Sequence, residues 1–168
     1  IGTDYVAKSA PDGYTLLMGN FGPSSVAPSL YPNLPYDPVK DFASITLAAT
    51  FPNLLVVHPS VPTNSVGELI ALAKAKPGQL NFASAGVGTS GHLAGELFNL
   101  MAGVKMVHVP YKGNSVALTD LLAGQVQVMF MNVGLPLPFL KSGRLRALGV
   151  TSAKRYPVLP DMPTVAES

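Results

Sequence analysis

The sequence predicts an α/β fold built on a parallel-rich sheet, and three observations support this prediction. Of the 168 residues, 48% are hydrophobic and 12% are charged, which is typical of a globular chain with a substantial core. From Pro77 onward, strand and helix patterns alternate as β-α-β-α-β-α-β, which favours parallel strands joined by right-handed crossovers. Three of these strands run into loops of small and polar residues, where open α/β sheets bind their ligands.

The first fifty residues are predicted to contain one helix and two strands. Thr3–Ser9 is typical of the end of a helix, which the turn at Pro11–Gly13 closes. Tyr14–Met18 is a short apolar run that predicts a strand, followed by a polar glycine loop. Two further apolar runs, Phe42–Thr50 and Asn53–His58, predict either successive strands or one long strand that passes between two lobes.

The alternating elements occupy the middle and end of the chain. Ser65 and Glu68 form a capping box for a helix over Val66–Lys76, which ends at Pro77–Gly78. The later predicted elements are strand Lys105–Val109, helix Val116–Ala123, strand Gln125–Met131, a short helix ending at Ser142–Gly143, and strand Leu145–Thr151. The loops expected along one edge of the sheet are Ser84–Thr89, Tyr111–Ser115 and Asn132–Gly134.

The stretch Leu80–Met101 carries the best organised chemistry in the chain. It predicts a strand over Leu80–Ala83, a small-residue loop, and a helix that Thr89 or Ser90 caps. The helix face expected to be buried consists of Leu93, Leu97, Leu100 and Met101. Because unpaired N–H groups and the positive end of the helix dipole meet at such a helix start, this stretch predicts an anion-binding site.

The same loop contains Gly86-x-Gly88-x-x-Gly91, formally the glycine pattern of dinucleotide-binding folds. That pattern requires an acidic residue after the second strand, which holds a ribose hydroxyl. The acidic residues that follow here, Glu96 and Asp120, both lie in helical stretches. A nucleotide-dependent α/β enzyme is therefore the weaker alternative, and a plain strand-to-helix turn is a further one.

Neither the composition nor the remaining side chains predict a nucleic-acid, metal or catalytic site. The net charge is +2 without a basic run, there is no cysteine, and no apolar stretch reaches the roughly 18 residues of a membrane span. His58 and His108 lie in apolar strands and are expected to be structural, whereas His92 could face an anion. No histidine has a metal-ligand spacing or an accompanying carboxylate cluster, so no metal, cofactor or catalytic residue is predicted.

Five motifs in order resemble the substrate-binding protein family of tripartite tricarboxylate transporters, also called the TctC or Bug family. The motifs are Pro11–Leu17 (PDGYTLL), Leu34–Phe42 (LPYDPVKDF), Ser84–Thr89 (SAGVGT) with His92–Glu96 (HLAGE), Val109–Gly113 (VPYKG) and Leu159–Glu167 (LPDMPTVAE). The resemblance covers essentially the whole chain and is far more specific than the glycine pattern.

This resemblance implies a periplasmic-binding-protein type II-like fold with two Rossmann-like lobes that close over a ligand. It implies that residues 1–50 belong to lobe 1, residues 51–148 form lobe 2, and residues 149–168 return toward lobe 1. No signal peptide is visible, and both ends are expected to be truncations, so the chain resembles a fragment that lacks part of lobe 1. The implied role is non-enzymatic: a periplasmic protein, not itself membrane-spanning, captures a small carboxylate for inner-membrane permease subunits.

The resemblance also carries site residues onto this sequence. The carboxylate grip of the second lobe would comprise Ser84, Ala85, Gly86, Gly88 and Thr89, with Gly19, Asn20 and Phe21 from the first lobe and Asn132 at the mouth. Many relatives have aspartate where this chain has Met131, which suggests a ligand whose distal end is apolar or aromatic. An effector-sensing lobe of a regulator shares this architecture but would need a DNA-binding segment, and none is predicted.

Overall fold

The computed structural model describes residues 1–168, which form two compact units, Ile1–Ala49 and Thr50–Ser168. The first unit contains helix α1 (Gly2–Ala7) and a π-helical turn (Gly22–Val26) that continues into helix α2 (Ala27–Leu30). The predicted helix before the Pro11–Gly13 turn is thus confirmed, although it lies over Gly2–Ala7. The assignment of residue ranges to lobes stays a prediction.

Two strands predicted in and beside the first unit do not form. Tyr14–Met18 and Phe42–Thr50 have no regular secondary structure. Alternating apolar side chains in these segments are exposed, including Tyr14 at 92% and Ile45 at 78%. An apolar run forms a strand only where a neighbouring strand can accept and donate ladder hydrogen bonds, and residues 1–49 contain no strand.

The second unit is built on one five-stranded sheet with the order β3-β2-β4-β1-β5. The strands are β1 (Asn53–Val57), β2 (Asn81–Ser84), β3 (Val107–Pro110), β4 (Val128–Asn132) and β5 (Arg146–Val150). The helices are α3 (Val66–Ala75), α4 (Ser90–Ala102), α5 (Asn114–Leu122) and α6 (Leu137–Lys141), followed by a 3-10 turn (Val165–Glu167). None of the helices combines the length and the apolar character that crossing a membrane requires.

The predicted alternation is confirmed, and most of the sheet runs in one direction. Strand β2 pairs in parallel with both β3 and β4, whereas β1 pairs antiparallel with both β4 and β5. Since β4 and β5 both oppose β1, they run in the same direction as each other. The insertion of β1 between them was not predicted, because nothing in a local pattern specifies a strand's neighbours.

Two apolar clusters cover the two faces of the sheet. One joins Leu55 and Phe82 to helices α3 and α4, and the other joins Leu54 and Met129 to helix α5. All five residues of β1 are buried, as expected for a strand with helices on both faces. The sheet is therefore a rigid platform, and its strand ends fix the position of the loops that follow them.

The face of α4 that packs on the sheet differs from the predicted one. Gly91, Gly95 and Phe98 are buried, whereas Leu97 is 54% exposed and Leu100 and Met101 are each 79% exposed. The two glycines repeat at helical spacing too, and without side chains they let the helix backbone approach the sheet closely. Close backbone packing thus decides the orientation of α4, and the prediction of a Leu93, Leu97, Leu100 and Met101 core face was wrong.

Candidate functional site

The parallel strands β2, β3 and β4 bring their following loops to one edge of the sheet. Ser84 at the end of β2 lies opposite Pro110 at the end of β3. At the start of α4, an ideal Cβ on Gly91 would overlap the carbonyl oxygen of Phe130, so the helix begins directly against β4. The predicted meeting of these loops at one edge is confirmed for this unit.

Four hydrogen bonds hold the loop between β2 and α4 around the Gly86 peptide. The Gly86 N–H donates to the Ser84 hydroxyl at 3.1 Å, and the Thr89 hydroxyl donates to the Gly86 carbonyl at 2.7 Å. The Ser84 hydroxyl also lies 3.1 Å from that carbonyl, and the Thr89 N–H donates to it at 3.3 Å. Gly86 and Gly88 have φ of +136° and +79°, so side chains at these positions would strain the turn.

Three of the loop amides are used inside the protein, and four are not. The Gly86, Gly88 and Thr89 N–H groups bond to Ser84, to His92 Nδ1 (3.2 Å) and to Gly86. The amides without an acceptor in the protein are those of Ala85, Val87, Ser90 and Gly91. These amides lie at and just before the start of a 13-residue helix with Thr89 as its N-cap, where the helix dipole adds partial positive charge. The loop is therefore a candidate anion cradle.

Two histidines that are distant in sequence meet beneath this cradle. The His108 ring lies between Phe82 and His92, with ring centroids 4.9 Å and 4.1 Å away. His108 Nε2 is 2.7 Å from the Ser84 hydroxyl. The sequence prediction missed this pair, because it considered spacing along the chain; the parallel register of β2 and β3 sets Phe82 opposite His108.

The same histidines and Glu96 bring possible ligand atoms to within 4.8 Å of one another. The expectation that no histidine pairs with another was therefore wrong. Their hydrogen bonds do not suit a metal, however. His92 Nδ1 accepts from the Gly88 N–H, so the ring proton of neutral His92 sits on Nε2, which faces Glu96 at 3.9 Å. A metal would have to displace that proton, so the arrangement fits a hydrogen-bonded support better.

Burial and the neighbouring His92 lower the pKa of His108, and the Glu96 carboxylate opposes this effect. His108 is therefore neutral at neutral pH.

Hydrogen bonds also hold the loop that follows β3. The Tyr111 hydroxyl donates to Asp120 at 2.7 Å, and the Tyr111 N–H donates to the Ser84 carbonyl at 3.0 Å. Burial, together with Asp120, raises the pKa of Tyr111 to about 12, so its hydroxyl remains a donor and not a base.

The remaining predicted site residues lie in two places. Asn132 is exposed at the end of β4, on the edge that carries the cradle. Gly19, Asn20 and Phe21 belong to the first unit, where the Asn20 side chain accepts from the Gly22 N–H at 3.1 Å. Their meeting with the cradle stays a prediction.

Met131 has a different role from the predicted one. It is only 1% exposed and packs in the cluster under helix α5, beside Leu54 and Met129. Strand alternation turns its side chain into the core, so it offers no surface to a ligand at the cradle. Met131 therefore gives no support to the hypothesis of an apolar distal end on the ligand.

The sequence matches one family over residues 1–168, described as the tripartite tricarboxylate transporter family receptor, TctC. A UPF0065 protein in the tcbD-tcbE intergenic region of Pseudomonas sp. (strain P51) is 45% identical over 168 residues, covering 100% of this chain and 50% of the relative. Protein BugT of Bordetella pertussis is 41% identical, covering 99% of this chain and 52% of the relative. This chain thus spans about half the length of the curated relatives it matches.

Several solved structures are similar to this chain in both fold and sequence. Rpa4515 of R. palustris, solved with adipate, has a TM-score of 0.93 and 41% identity, over 98% of this chain and 55% of that chain. The periplasmic binding protein BugD has a TM-score of 0.88 and 38% identity, over 98% of this chain and 55% of that chain. MatC (Rpa3494) from Rhodopseudomonas palustris, with bound malate, has a TM-score of 0.86 and 34% identity, over 99% of this chain and 56% of that chain. The predicted periplasmic-binding-protein type of α/β fold is therefore confirmed.

Proposed function

This chain belongs to the tripartite tricarboxylate transporter receptor family, and from that premise we propose that it captures a small carboxylate. In this proposal it is a periplasmic binding protein that delivers its ligand to the membrane permease of the transporter. It binds without transforming the ligand.

One observation carries this proposal: four amides without a protein acceptor surround the start of α4. They are those of Ala85, Val87, Ser90 and Gly91. Hydrogen bonds to a charged group contribute about 1.5–3 kcal/mol each, so two or three of them would hold one carboxylate. Ser84, Gly86, Gly88 and Thr89, whose polar groups bond to one another and to the histidines, would then shape the cradle rather than touch the ligand.

The named ligands of two relatives fit this chemistry. Rpa4515 was solved with adipate and MatC with malate, and both molecules are dicarboxylates. We infer that this chain takes a ligand of the same broad class, with one carboxylate at the cradle. Asn132, and the predicted first-lobe residues Gly19, Asn20 and Phe21, are candidates for contacts to the rest of the ligand.

A nucleotide-dependent enzyme is not supported. Strand β3 ends at Pro110 and is followed by Tyr111 and Lys112, so the acidic residue that would hold a ribose is missing there. The solved relatives named by role are periplasmic binding or transport proteins. The partly buried Tyr111–Asp120 pair is explained as a support for its loop and provides no nucleophile.

Replacing Thr89 with alanine tests the cradle. The Thr89 hydroxyl donates to the Gly86 carbonyl and accepts from the His92 N–H at 3.5 Å, so Thr89→Ala removes both the turn bond and the helix N-cap. We expect about 1 kcal/mol lower unfolding free energy. We also expect about tenfold weaker carboxylate binding, equivalent to roughly 1.4 kcal/mol.

The measurement is a thermal-shift screen of the full-length protein with mono-, di- and tricarboxylates, aromatic acids, amino acids and NAD(P). A ligand at about 100 times its Kd stabilises the native state by roughly 2.7 kcal/mol. Thr89→Ser is the matched control, since it keeps the hydroxyl and should keep the shift. A shift with NAD(P) and with no carboxylate would reject the proposed function.

A further inference from the structure

We propose that His108 is a positioning residue of the carboxylate cradle. It holds the Gly86 peptide in place through the Ser84 hydroxyl. The orientation of that peptide fixes the positions of the free amides of Ala85 and Val87 on either side of it. This inference rests on the proposed function, and it assigns the site a residue that touches neither the ligand nor the loop backbone. Its physical basis is a partly buried chain of contacts from α4 through β3 to the loop.

The Ser84 hydroxyl is the centre of that chain. Ser84 is completely buried, and its Oγ lies 2.7 Å from His108 Nε2, 3.1 Å from the Gly86 nitrogen and 3.1 Å from the Gly86 oxygen. A hydroxyl has one proton and accepts two. All three partners are satisfied when His108 Nε2–H and the Gly86 N–H donate to Oγ and Oγ donates to the Gly86 carbonyl. Neutral His108 is thus the tautomer protonated on Nε2.

His108 is itself held in place by its neighbours. Its ring is stacked on Phe82 at an interplanar angle of 27° and tilted against His92 at 33°. Phe82 is completely buried, and an ideal Cβ on Gly95 would overlap its ring, so α4 presses directly on this side chain. The Nε2 atom therefore has little freedom to move away from Ser84.

A second polar contact to a histidine lies under the loop. It joins the Gly88 N–H to His92 Nδ1 at 3.2 Å, and the His92 ring is tilted against the His108 ring. Without the Nε2–H donor, the Ser84 hydroxyl loses one of its three partners. Its two bonds to the Gly86 peptide are then less firmly oriented, and the two Thr89 bonds to the Gly86 carbonyl remain. The amides of Ala85 and Val87 flank that peptide, so their convergence on a carboxylate weakens.

Three variants of the full-length protein test this inference. His108→Phe keeps a stacking ring but removes the donor, Ser84→Ala removes the hydroxyl, and His108→Gln restores an N–H near the position of Nε2. Isothermal titration with adipate and with malate should show about tenfold weaker binding for the first two variants. The double variant should be no weaker than either single one, because both act through one contact. His108→Gln should recover most of the affinity.

Amide hydrogen exchange of Gly86 without ligand gives a readout that does not depend on binding. We expect protection in the wild type and in His108→Gln, and faster exchange in His108→Phe and Ser84→Ala. Additive losses of affinity, or unchanged affinity and exchange in His108→Phe, would overturn the inference. If His108→Phe fails to fold, the inference is tested by comparing affinity and Gly86 exchange in His108→Asn and His108→Gln. Only the longer glutamine side chain brings its amide within reach of Ser84. A wild type that binds no carboxylate but shows this exchange pattern would reject the proposed function and leave His108 as an anchor of the loop.

Discussion

Gly91→Ala is expected to destabilise the second unit and to abolish carboxylate binding. The added Cβ would overlap the carbonyl oxygen of Phe130, a backbone atom in the central part of the sheet that cannot rotate away. The start of α4 would have to lift from β4, which moves the free amides of Ser90 and Gly91. Overpacking of this kind costs about 1–3 kcal/mol and occasionally more, and it acts here on fold and site together.

Gly67→Ala is the matched control for this variant. Gly67 also lies in the first turn of a helix, α3, but the only atom near its ideal Cβ is the Ser65 hydroxyl oxygen at 4.0 Å. Alanine there should leave the protein unchanged or up to about 1 kcal/mol more stable. Urea unfolding and titration with adipate compare the two variants. Equal stability and equal affinity for both would contradict the close packing of α4 on β4.

Phe98→Ala is expected to have the largest effect on stability, about 3–5 kcal/mol. Phe98 is only 6% exposed, and its ring centroid lies 5.7 Å from that of Phe130, in the cluster between α4 and the sheet. Removing the ring opens a cavity that neighbouring side chains on a rigid sheet cannot fill. The loss should appear as a lower midpoint of denaturant unfolding.

Leu100→Ala on the same helix is the control for Phe98→Ala. Leu100 is 79% exposed, so its truncation should change stability by no more than about 0.5 kcal/mol. The two variants also distinguish the observed orientation of α4 from the one that its leucine pattern predicts. A large loss for Leu100→Ala with a small one for Phe98→Ala would show that the leucine face is the buried one.

The central strand-loop-helix unit could be predicted because its signals are local. An apolar strand, glycines at positive φ, and a threonine that caps the helix specify the turn from Ser84 to Thr89 without reference to distant residues. The parallel pairing of β2, β3 and β4 followed from the alternation of strands and helices. These signals were sufficient to predict where the candidate anion site lies.

The orientation of α4 and the place of β1 could not be predicted, because both depend on contacts between distant segments. The leucines of α4 have the spacing of a core face, but Gly91 and Gly95 allow closer packing on the opposite side. Strand β1 lies between two strands from the end of the chain, and no local pattern encodes that. The apolar run Tyr14–Met18 predicted a strand where no partner strand is present.

Within the site, the sequence located the loop but did not assign its parts. Ser84, Gly86 and Gly88 were predicted to grip a ligand, whereas in the structure their polar groups bond internally. His108 was expected to be structural, and its contact with Ser84 depends on the register between two strands. Which donors are free is a property of the folded hydrogen-bond network, so it cannot be read from residue types.

Carboxylate binding at the free amides around the start of α4 can be observed directly by an amide NMR titration. The ¹⁵N-labelled full-length protein is titrated with adipate and with malate. We expect the largest shift changes to fall on Ala85, Val87, Ser90 and Gly91, and Thr89→Ala to reduce them. Saturable binding that leaves these four amides unchanged, or changes at them with NAD(P) alone, would contradict this expectation.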